Sequence, residues 1–275
     1  MSKPNKIIGI AMPHASRSIE YPGTQHNLRI AIGYAKSKGY DVLISDPASA
    51  SVATNRNIAA HNLLKGGANW IFTCDDDMFY PKDVFIKLIE NNKDIVSGLY
   101  VGRTAPFPIM AFQPYEKLYR AIKYKDFTVG ETIEVVGVGG GCVLIKREVF
   151  EKIPQPWYSM PPIVWMKILT WLHKQLDLGL PTRELPRELL PSLKDIRPDA
   201  WDGGVAGEDI YFCLLAGEFG YKIYLDTSVQ CAHVGDYKHT LADNVAYQKI
   251  MEVESERTGH TEASPAIAEN PSTRS

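Results

Sequence analysis

Three consecutive carboxylates, Asp75, Asp76 and Asp77, follow directly on the apolar run WIFTC in the segment NWIFTCDDDMFYPKD. Carboxylates crowded in this way repel one another, so the arrangement costs stability unless a cation neutralises it. Hard oxygen donors at the end of a buried strand suit Mg2+ or Mn2+, above all where a phosphate adds further oxygens. A solvated acidic turn, capping a helix that opens at Pro81, is the other reading. A second acidic group, Glu208-Asp209, follows Gly207 at the start of a helical stretch. A helix dipole favours acids in its first turn whatever their role. The chemical alternative is a general base that takes the proton from an attacking hydroxyl. Arg56, between Asn55 and Asn57 at the opening of another helix, offers a planar fork for a carboxylate or a phosphate. It can equally be a surface arginine beside a cap. His233, in CAHVG, is able to complete an oxygen-rich metal site as a neutral imidazole, or is structural. His14 and His239 compete with it from weaker contexts. Gly139-Gly140-Gly141 removes three successive Cβ atoms, so backbone or ligand can come close there, unless the run is a plain bulge or turn.

The elements that must position these groups alternate over the first hundred residues. KIIGIAM (6–12), closed by Pro13, reads as a buried strand. Residues 25–38, ended by Gly39, read as a helix, and DVLIS (41–45) as the next strand. NRNIAAHNLLKGG carries a helical stripe through Ile58, Ala59, Asn62 and Leu63. Residues 69–74 form a strand that ends in the aspartates, Pro81 opens a helix at its first turn, and DIVSGLYV (94–101) is a further strand. Alternation of this kind predicts a mostly parallel sheet covered by helices. Residues 107–150 are richer in strands: PIMAFQPY, TIEVVGVG and CVLIKR. GEDIYFCLLAGEFG (207–220) reads as a helix, KIYLDTSVQCAHVG (222–235) as strand, turn and short strand, and 241–256 as a last helix.

Residues 154–200 differ in composition. They hold eight of the 18 prolines and Trp157, Trp165 and Trp171, with Trp201 just beyond. The expectation is an inserted helical, Pro/Trp-rich subdomain or lid whose large aromatics are mostly core. From Arg257 onward there is no aromatic residue, and 257–275 reads as a disordered tail. A catalytic domain over 1–256 is therefore expected.

Composition excludes several classes. At 45% hydrophobic and 23% charged, the chain of 275 residues is neither collagen-like, coiled-coil nor mostly disordered. A net charge of -2 argues against a broadly basic nucleic-acid binder. No apolar run reaches the roughly 18 residues that cross a bilayer, and the N-terminus has no secretory cleavage pattern. Four scattered cysteines without a CxxC pair fit a reduced, cytoplasmic setting better than a disulfide framework.

Taken in order, KIIGIAMP, the Asn55-Arg56-Asn57 helix, the aspartate triplet, DIVSGLYVGR, GGGCVLIKREVF, GEDIYFC and GYKIYLDTSVQCAH resemble glycosyltransferases of the A-type fold, in particular family 2-like enzymes. The resemblance spans roughly residues 6–153 and 203–235. It implies a single Rossmann-like mixed sheet with helices on both faces. It further implies a nucleoside-diphosphate sugar donor held through its diphosphate by Mn2+ or Mg2+. By position, Asp75 and Asp77 match the acids of the D-x-D motif, with Asp77 the direct metal ligand, and His233 matches a histidine that joins the metal in some members. Glu208 and Asp209 match the acidic pair that supplies the base in inverting members, with Asp209 preferred. Pro13, Arg56, Asp75, Asp76 and Gly140 are the expected donor contacts, residues 9–17 lying by the nucleoside.

The rival enzyme reading is a sugar-phosphate nucleotidyltransferase, although the first strand lacks the Gly-rich signature with Arg that such enzymes carry. A non-catalytic nucleotide-sugar-binding module is the rival outside enzymes. The expected acceptor is a saccharide or another hydroxyl. A hydroxylated DNA base is a less favoured acceptor, for which Lys117, Arg120, Lys123 and Lys125 form a small basic cluster. The apolar helix at 163–172 is expected to pack in the subdomain rather than rest on a membrane.

Overall fold

The computed structural model describes residues 6–14, 23–48, 51–115, 118–160, 207–235 and 237–258. The first strand, β1 (Ile7–Ala11), leads to helix α1 (Thr24–Ser37), which stops at Gly39 in the left-handed conformation (φ 84°). Next come β2 (Asp41–Ser45) and helix α2 (Val52–Lys65). Ser51 caps α2 by accepting the Thr54 N–H at 3.3 Å. Strand β3 (Trp70–Cys74) runs into the aspartates, and a two-residue strand, β4 (Met78–Phe79), follows them at once. Helix α3 (Val84–Glu90) begins three residues after Pro81, which sits in the preceding turn and accepts the Val84 N–H through its carbonyl at 3.0 Å. The proline thus ends the acidic loop rather than opening the helix.

Strand β5 (Ile95–Leu99) is buried at every position. A hairpin of β6 (Ala111–Tyr115) and β7 (Leu118–Ala121) follows. Then come β8 (Thr132–Val135), β9 (Gly137–Val138), β10 (Cys142–Lys146) and helix α4 (Arg147–Lys152). After residues 161–206, which lie outside the described residues together with most of the expected Pro/Trp-rich insertion, helix α5 (Glu208–Glu218) feeds β11 (Ile223–Gln230). The chain continues through β12 (Ala232–Val234), β13 (Lys238–His239) and helix α6 (Leu241–Thr258). The expected tail beyond 258 also falls outside the described residues.

Seven strands form one mixed sheet in the order β2-β1-β3-β10-β5-β11-β8. β1 pairs in parallel with β2 and β3, and β11 with β5. β10 is reversed between β3 and β5, and β8 is reversed against β11. Helices cover both faces, so central strands are apolar on both sides. Ile71, Ile95, Val143 and Ile145 face α2, α4 and α5, while Phe72, Val96 and Leu144 face α1 and α3. Each fully buried side chain of this size contributes roughly 1.5–3 kcal/mol, and this slab is what can carry charged groups at its rim.

One helix is turned from its expected face. In α2, Asn55, Arg56, Ala59, Ala60 and Leu63 are buried, whereas Ile58 is 36% exposed and Asn62 is exposed. The small side chains Ala59 and Ala60 let the helix lie close on the sheet: a Cβ on Gly9 would stand 3.1 Å from Leu63. That rotation carries Arg56 inward. Among the described residues, no helix is long and apolar enough to cross a membrane.

Candidate active site

The sheet topology decides what meets. Parallel strands present their carboxyl ends at one edge, where open α/β sheets bind ligands. Asp75–Asp77 leave β3 there, Tyr100–Arg103 leave β5 there, and His233 lies beyond the end of β11. Because β10 is reversed, its start arrives at the same edge: Cys142 stands opposite Cys74, which puts Gly139–Gly141 beside the aspartates. α2 and α5 pack on one face with their first turns at this edge, bringing Arg56 to Glu208 and Asp209.

Arg56 is the hub. It is 3% exposed, and three of its groups are used: Nη2 to Asp75 Oδ1 at 2.7 Å, Nε to Glu208 Oε1 at 3.1 Å and Nη1 to the Gly140 carbonyl at 3.2 Å. Its guanidinium lies 6.0 Å from the centre of the Tyr158 ring, which stacks on Phe212 at 5.0 Å. Burial works against the charge on Arg56, but Asp75 and Glu208 more than offset it and the pKa is raised. Asn57 holds Tyr158 in place through both backbone groups, at 2.7 and 3.1 Å.

The close approach that the glycines permit is used by the chain itself. A Cβ on Gly140 would stand 2.5–2.8 Å from the Arg56 guanidinium, one on Gly139 would strike the Tyr100 hydroxyl, and one on Gly141 would come within 3.0 Å of Asp75 Oδ2. The Gly140 carbonyl also accepts from Thr73 Oγ1 at 2.8 Å, and its N–H donates to Asp209 Oδ2 at 3.1 Å. The Gly141 N–H donates to the Tyr100 hydroxyl at 3.0 Å, and its carbonyl accepts from Tyr80 at 2.7 Å.

The acidic pair separates into two kinds of group. Glu208 is held by Arg56. Asp209 makes no such ion pair among the described residues; its Oδ1 accepts the Ile210 N–H at 2.7 Å and its Oδ2 accepts from Gly140. Burial, then the Glu208 charge, push the Asp209 carboxyl up to about 6, against the pull of Arg56. Its position near neutrality is that of a usable base.

Asp77 is 6% exposed. Its Oδ2 meets His233 Nε2 at 3.2 Å and Arg103 Nη1 at 2.8 Å, while Oδ1 is buried without a hydrogen-bond partner among the described residues. His233 Nδ1 lies 3.0 Å from the Val101 carbonyl, which can only accept, so that nitrogen carries a proton. Nε2 then faces the carboxylate, as in a histidine whose outer N–H is tied down so that the inner nitrogen can ligate a cation. Burial first, and the Asp77 charge after it, raise the Asp75 pKa despite Arg56. Among the described residues, no three His, Cys, Asp or Glu side chains converge on one point, since Asp75 turns to Arg56 and Asp77 to Arg103 and His233. An orphaned carboxylate oxygen, an oriented imidazole and an excess of acids are nonetheless a donor set that fits a hard divalent cation.

Asp76 points the other way, to His14 Nδ1 at 3.2 Å, and the His14 carbonyl accepts from Asn55 Nδ2 at 3.0 Å. Pro13 is buried where β1 ends. Met12, Thr24, Gln25, Leu28, Asp75, Asp76, Met78 and Tyr80 line a small hollow. Residues 15–17 of the expected nucleoside segment lie outside the described residues. Arg103, Thr73, Tyr80, Tyr100 and Tyr158 lie at this edge without having been singled out by sequence reasoning. Of the basic cluster, Arg120 pairs with Asp126 at 3.4 Å and Lys125 with Glu252 at 2.6 Å, so two of its charges are already matched. Lys117 is outside the described residues.

No family model and no curated protein matches the chain. Solved structures similar to it include A197 from STIV, at 19% identity over 84% of this chain and 86% of that one, with a TM-score of 0.48. GalNAc-T7, crystallised with UDP, GalNAc and Mn2+, is 12% identical over 90% of this chain and 48% of its own, with a TM-score of 0.43. A glycosyltransferase involved in the glycosylation of the major capsid of PBCV-1 is 13% identical over 70% of this chain and 78% of its own, with a TM-score of 0.29. An overlap this loose assigns no activity.

Proposed function

We propose that the chain is a metal-dependent glycosyltransferase that moves a sugar from a nucleoside diphosphate to an acceptor hydroxyl with inversion. One observation carries the reading. Arg56 binds Asp75 of the strand-end triplet on one side and Glu208 of the acidic pair on the other, which sets Asp209 within the same cleft. A merely solvated acidic turn and a merely dipole-stabilised helix start need no common partner.

A divalent cation, Mg2+ or Mn2+, held by Asp75, Asp77 and His233 would supply the charge that offsets the departing diphosphate. The chain's own groups do the rest. Arg56 fixes Asp75 and Glu208, and the end of β1 at Met12 and Pro13 is the side on which the nucleoside would lie. Asp209, ionised above a pKa of about 6, takes the proton from the acceptor hydroxyl as its oxygen bonds to the anomeric carbon. The bond from that carbon to the diphosphate oxygen breaks, and the nucleoside diphosphate leaves on the opposite face. Residues 1–256 form the catalytic domain in this reading, with 154–200 on the acceptor side.

The test is a screen of nucleoside-diphosphate sugars with and without Mn2+, read by thermal shift and by product. Stabilisation that requires metal, with free nucleoside diphosphate formed, is the expected result. Pyrophosphate as product would make the chain a nucleotidyltransferase, and binding with no turnover on any acceptor a binding module. Asp77→Ala should lose Mn2+ binding and at least a hundredfold in turnover. Near-normal activity in that variant would refute the metal assignment.

A further inference from the structure

Three glycines in succession have the widest backbone freedom a chain can offer, so residues 139–141 do not by themselves fix the direction of an N–H or a carbonyl. All three are buried, and the direction is set from outside the run. The peptide group between Gly140 and Gly141 is gripped on both sides. Its carbonyl accepts from Thr73 Oγ1 at 2.8 Å and from Arg56 Nη1 at 3.2 Å, and its N–H donates to the Tyr100 hydroxyl at 3.0 Å. On one side of it the Gly139 N–H donates to the Met110 carbonyl at 2.9 Å; on the other the Gly141 carbonyl accepts from Tyr80 at 2.7 Å. The Gly140 N–H is left for Asp209 Oδ2, at 3.1 Å.

The two hydroxyls that grip this peptide come from rigid ground. Thr73 is buried in β3, and the buried Tyr100 directly follows β5. β3 and β5 are the neighbours of β10 in the sheet, so the glycine run enters β10 between them. Neither side chain hydrogen-bonds Asp209 itself among the described residues. What reaches Asp209 is the N–H they aim. The last torsion of an aspartate is soft, and the Ile210 N–H, from the same helical turn, holds only Oδ1. The second donor has to come from across the cleft, and Gly140 supplies it.

We propose that Thr73 and Tyr100 are positioning residues for Asp209: by gripping the Gly140–Gly141 peptide group they aim the Gly140 N–H at Oδ2 and hold the carboxylate in the orientation in which it takes the acceptor's proton. The clamp stands on the hydrogen bonds alone; the use made of it rests on the glycosyl-transfer reading above. The other charged and titratable groups around Asp209 are Glu208 beside it, Arg56 from α2, Asp75 from the end of β3, Tyr158 after α4 and Cys213 one turn along α5. None of these is altered in the variants that follow.

The probe is the side-chain carboxyl carbon of Asp209 in the full, metal-free chain, labelled with carbon-13 aspartate and assigned by its loss in Asp209→Asn. In wild type it should titrate near the value of about 6 to which burial and Glu208 push it, and the Gly140 amide proton should shift with the same midpoint. A hydrogen bond to a carboxylate favours its ionised form. Tyr100→Phe and Thr73→Val should therefore each raise the midpoint by about half to one pH unit and shrink the Gly140 response about twofold. Thr73→Ser keeps the hydroxyl and should titrate as wild type. A midpoint unchanged in both Tyr100→Phe and Thr73→Val, whatever their melting temperatures, overturns the clamp and leaves the glycosyl-transfer reading intact. Thr73→Ser shifting as far as Thr73→Val also overturns it, because packing rather than the hydroxyl would then be at work. A chain that shows the expected shifts but transfers no sugar would overturn the reading and leave the clamp standing.

Discussion

The two sides of the cleft contrast in how completely they are satisfied. Around Arg56, all three donor groups of the guanidinium that are used meet acceptors, in a set that takes in Asp75, Glu208, Gly140, Thr73 and Asp209. Around Asp77, an oxygen is orphaned, a histidine nitrogen faces a carboxylate, and the third member is a half-exposed arginine. Leaving a buried acceptor unpaired costs about 1–3 kcal/mol. A fold tolerates that cost where something outside the chain completes the set. Under the proposed function, the Arg56 side serves as the frame and the Asp77 side as the place where ligand would bind.

Asp209 stands at the border of the two sides and gives the sharpest way to break the contrast. Asp209→Asn should lower turnover about a thousandfold while donor affinity changes little, the range expected when a positioned base is lost. The pH profile gives an independent reading. With the carboxyl pushed up to about 6, the base is protonated below that pH and ionised above it. The wild-type kcat/KM should thus fall about tenfold per pH unit below 6 and level off above it, and the residual activity of Asp209→Asn should lack that step. A profile with the same step in both would move the base elsewhere, Glu208 being the next carboxylate.

Next in size is the frame itself. Arg56→Met leaves Asp75, which is 32% exposed, and Glu208 without their shared, buried cation. A cost of about 3 kcal/mol is expected for breaking such a buried pair from one side. In a chain of this size that is a fall in Tm of roughly 6–12 °C by calorimetry. Removing the half-exposed Arg103 should move Tm by far less. Equal losses for the two arginines would erase the distinction between frame and ligand side.

Gly140→Ala probes the frame without touching charge. The new methyl would meet the Arg56 guanidinium at 2.5–2.8 Å, and Arg56 is too tightly held to retreat. Overpacking of this kind costs typically about 1–3 kcal/mol. Chemical denaturation should read it as a lowered midpoint at constant slope. Gly130 or Gly217, where a Cβ would meet nothing within 4 Å, show that bare glycine count carries no such information.

What the sequence made legible follows from this chemistry. The triplet, Arg56, Glu208-Asp209 and His233 were readable because each sits at an element boundary where its residue type is costly or unusual. The alternation of strands and helices gave the layered sheet. Strand direction was less legible: β10 is buried on both faces, so CVLIKR looks the same run either way, and only its reversal puts Gly140 beside Asp75. Arg103 carried no signal, because it follows an apolar strand in a loop whose nearness to Asp77 depends on that ordering. The face of α2 was misjudged because Ile58 looked like core, whereas Ala59 and Ala60 give the close approach that seats Arg56.

The smallest expected effect separates two orphans. Among the described residues, Tyr158 has a buried hydroxyl with no partner, as Asp77 has a buried oxygen with none. Tyr158 lies on the Arg56 side, its ring packed between Phe212 and Arg56. Its pKa is raised, first by burial, and Arg56 opposes the rise. If packing of the ring is its whole role, Tyr158→Phe removes an unpaired polar group and should leave stability unchanged or raised by up to about 1 kcal/mol, with turnover within twofold. A tenfold loss of turnover at unchanged Tm would instead make the hydroxyl a contact for donor or acceptor. The boundary between frame and ligand side would then run through Tyr158 rather than between Arg56 and Asp77.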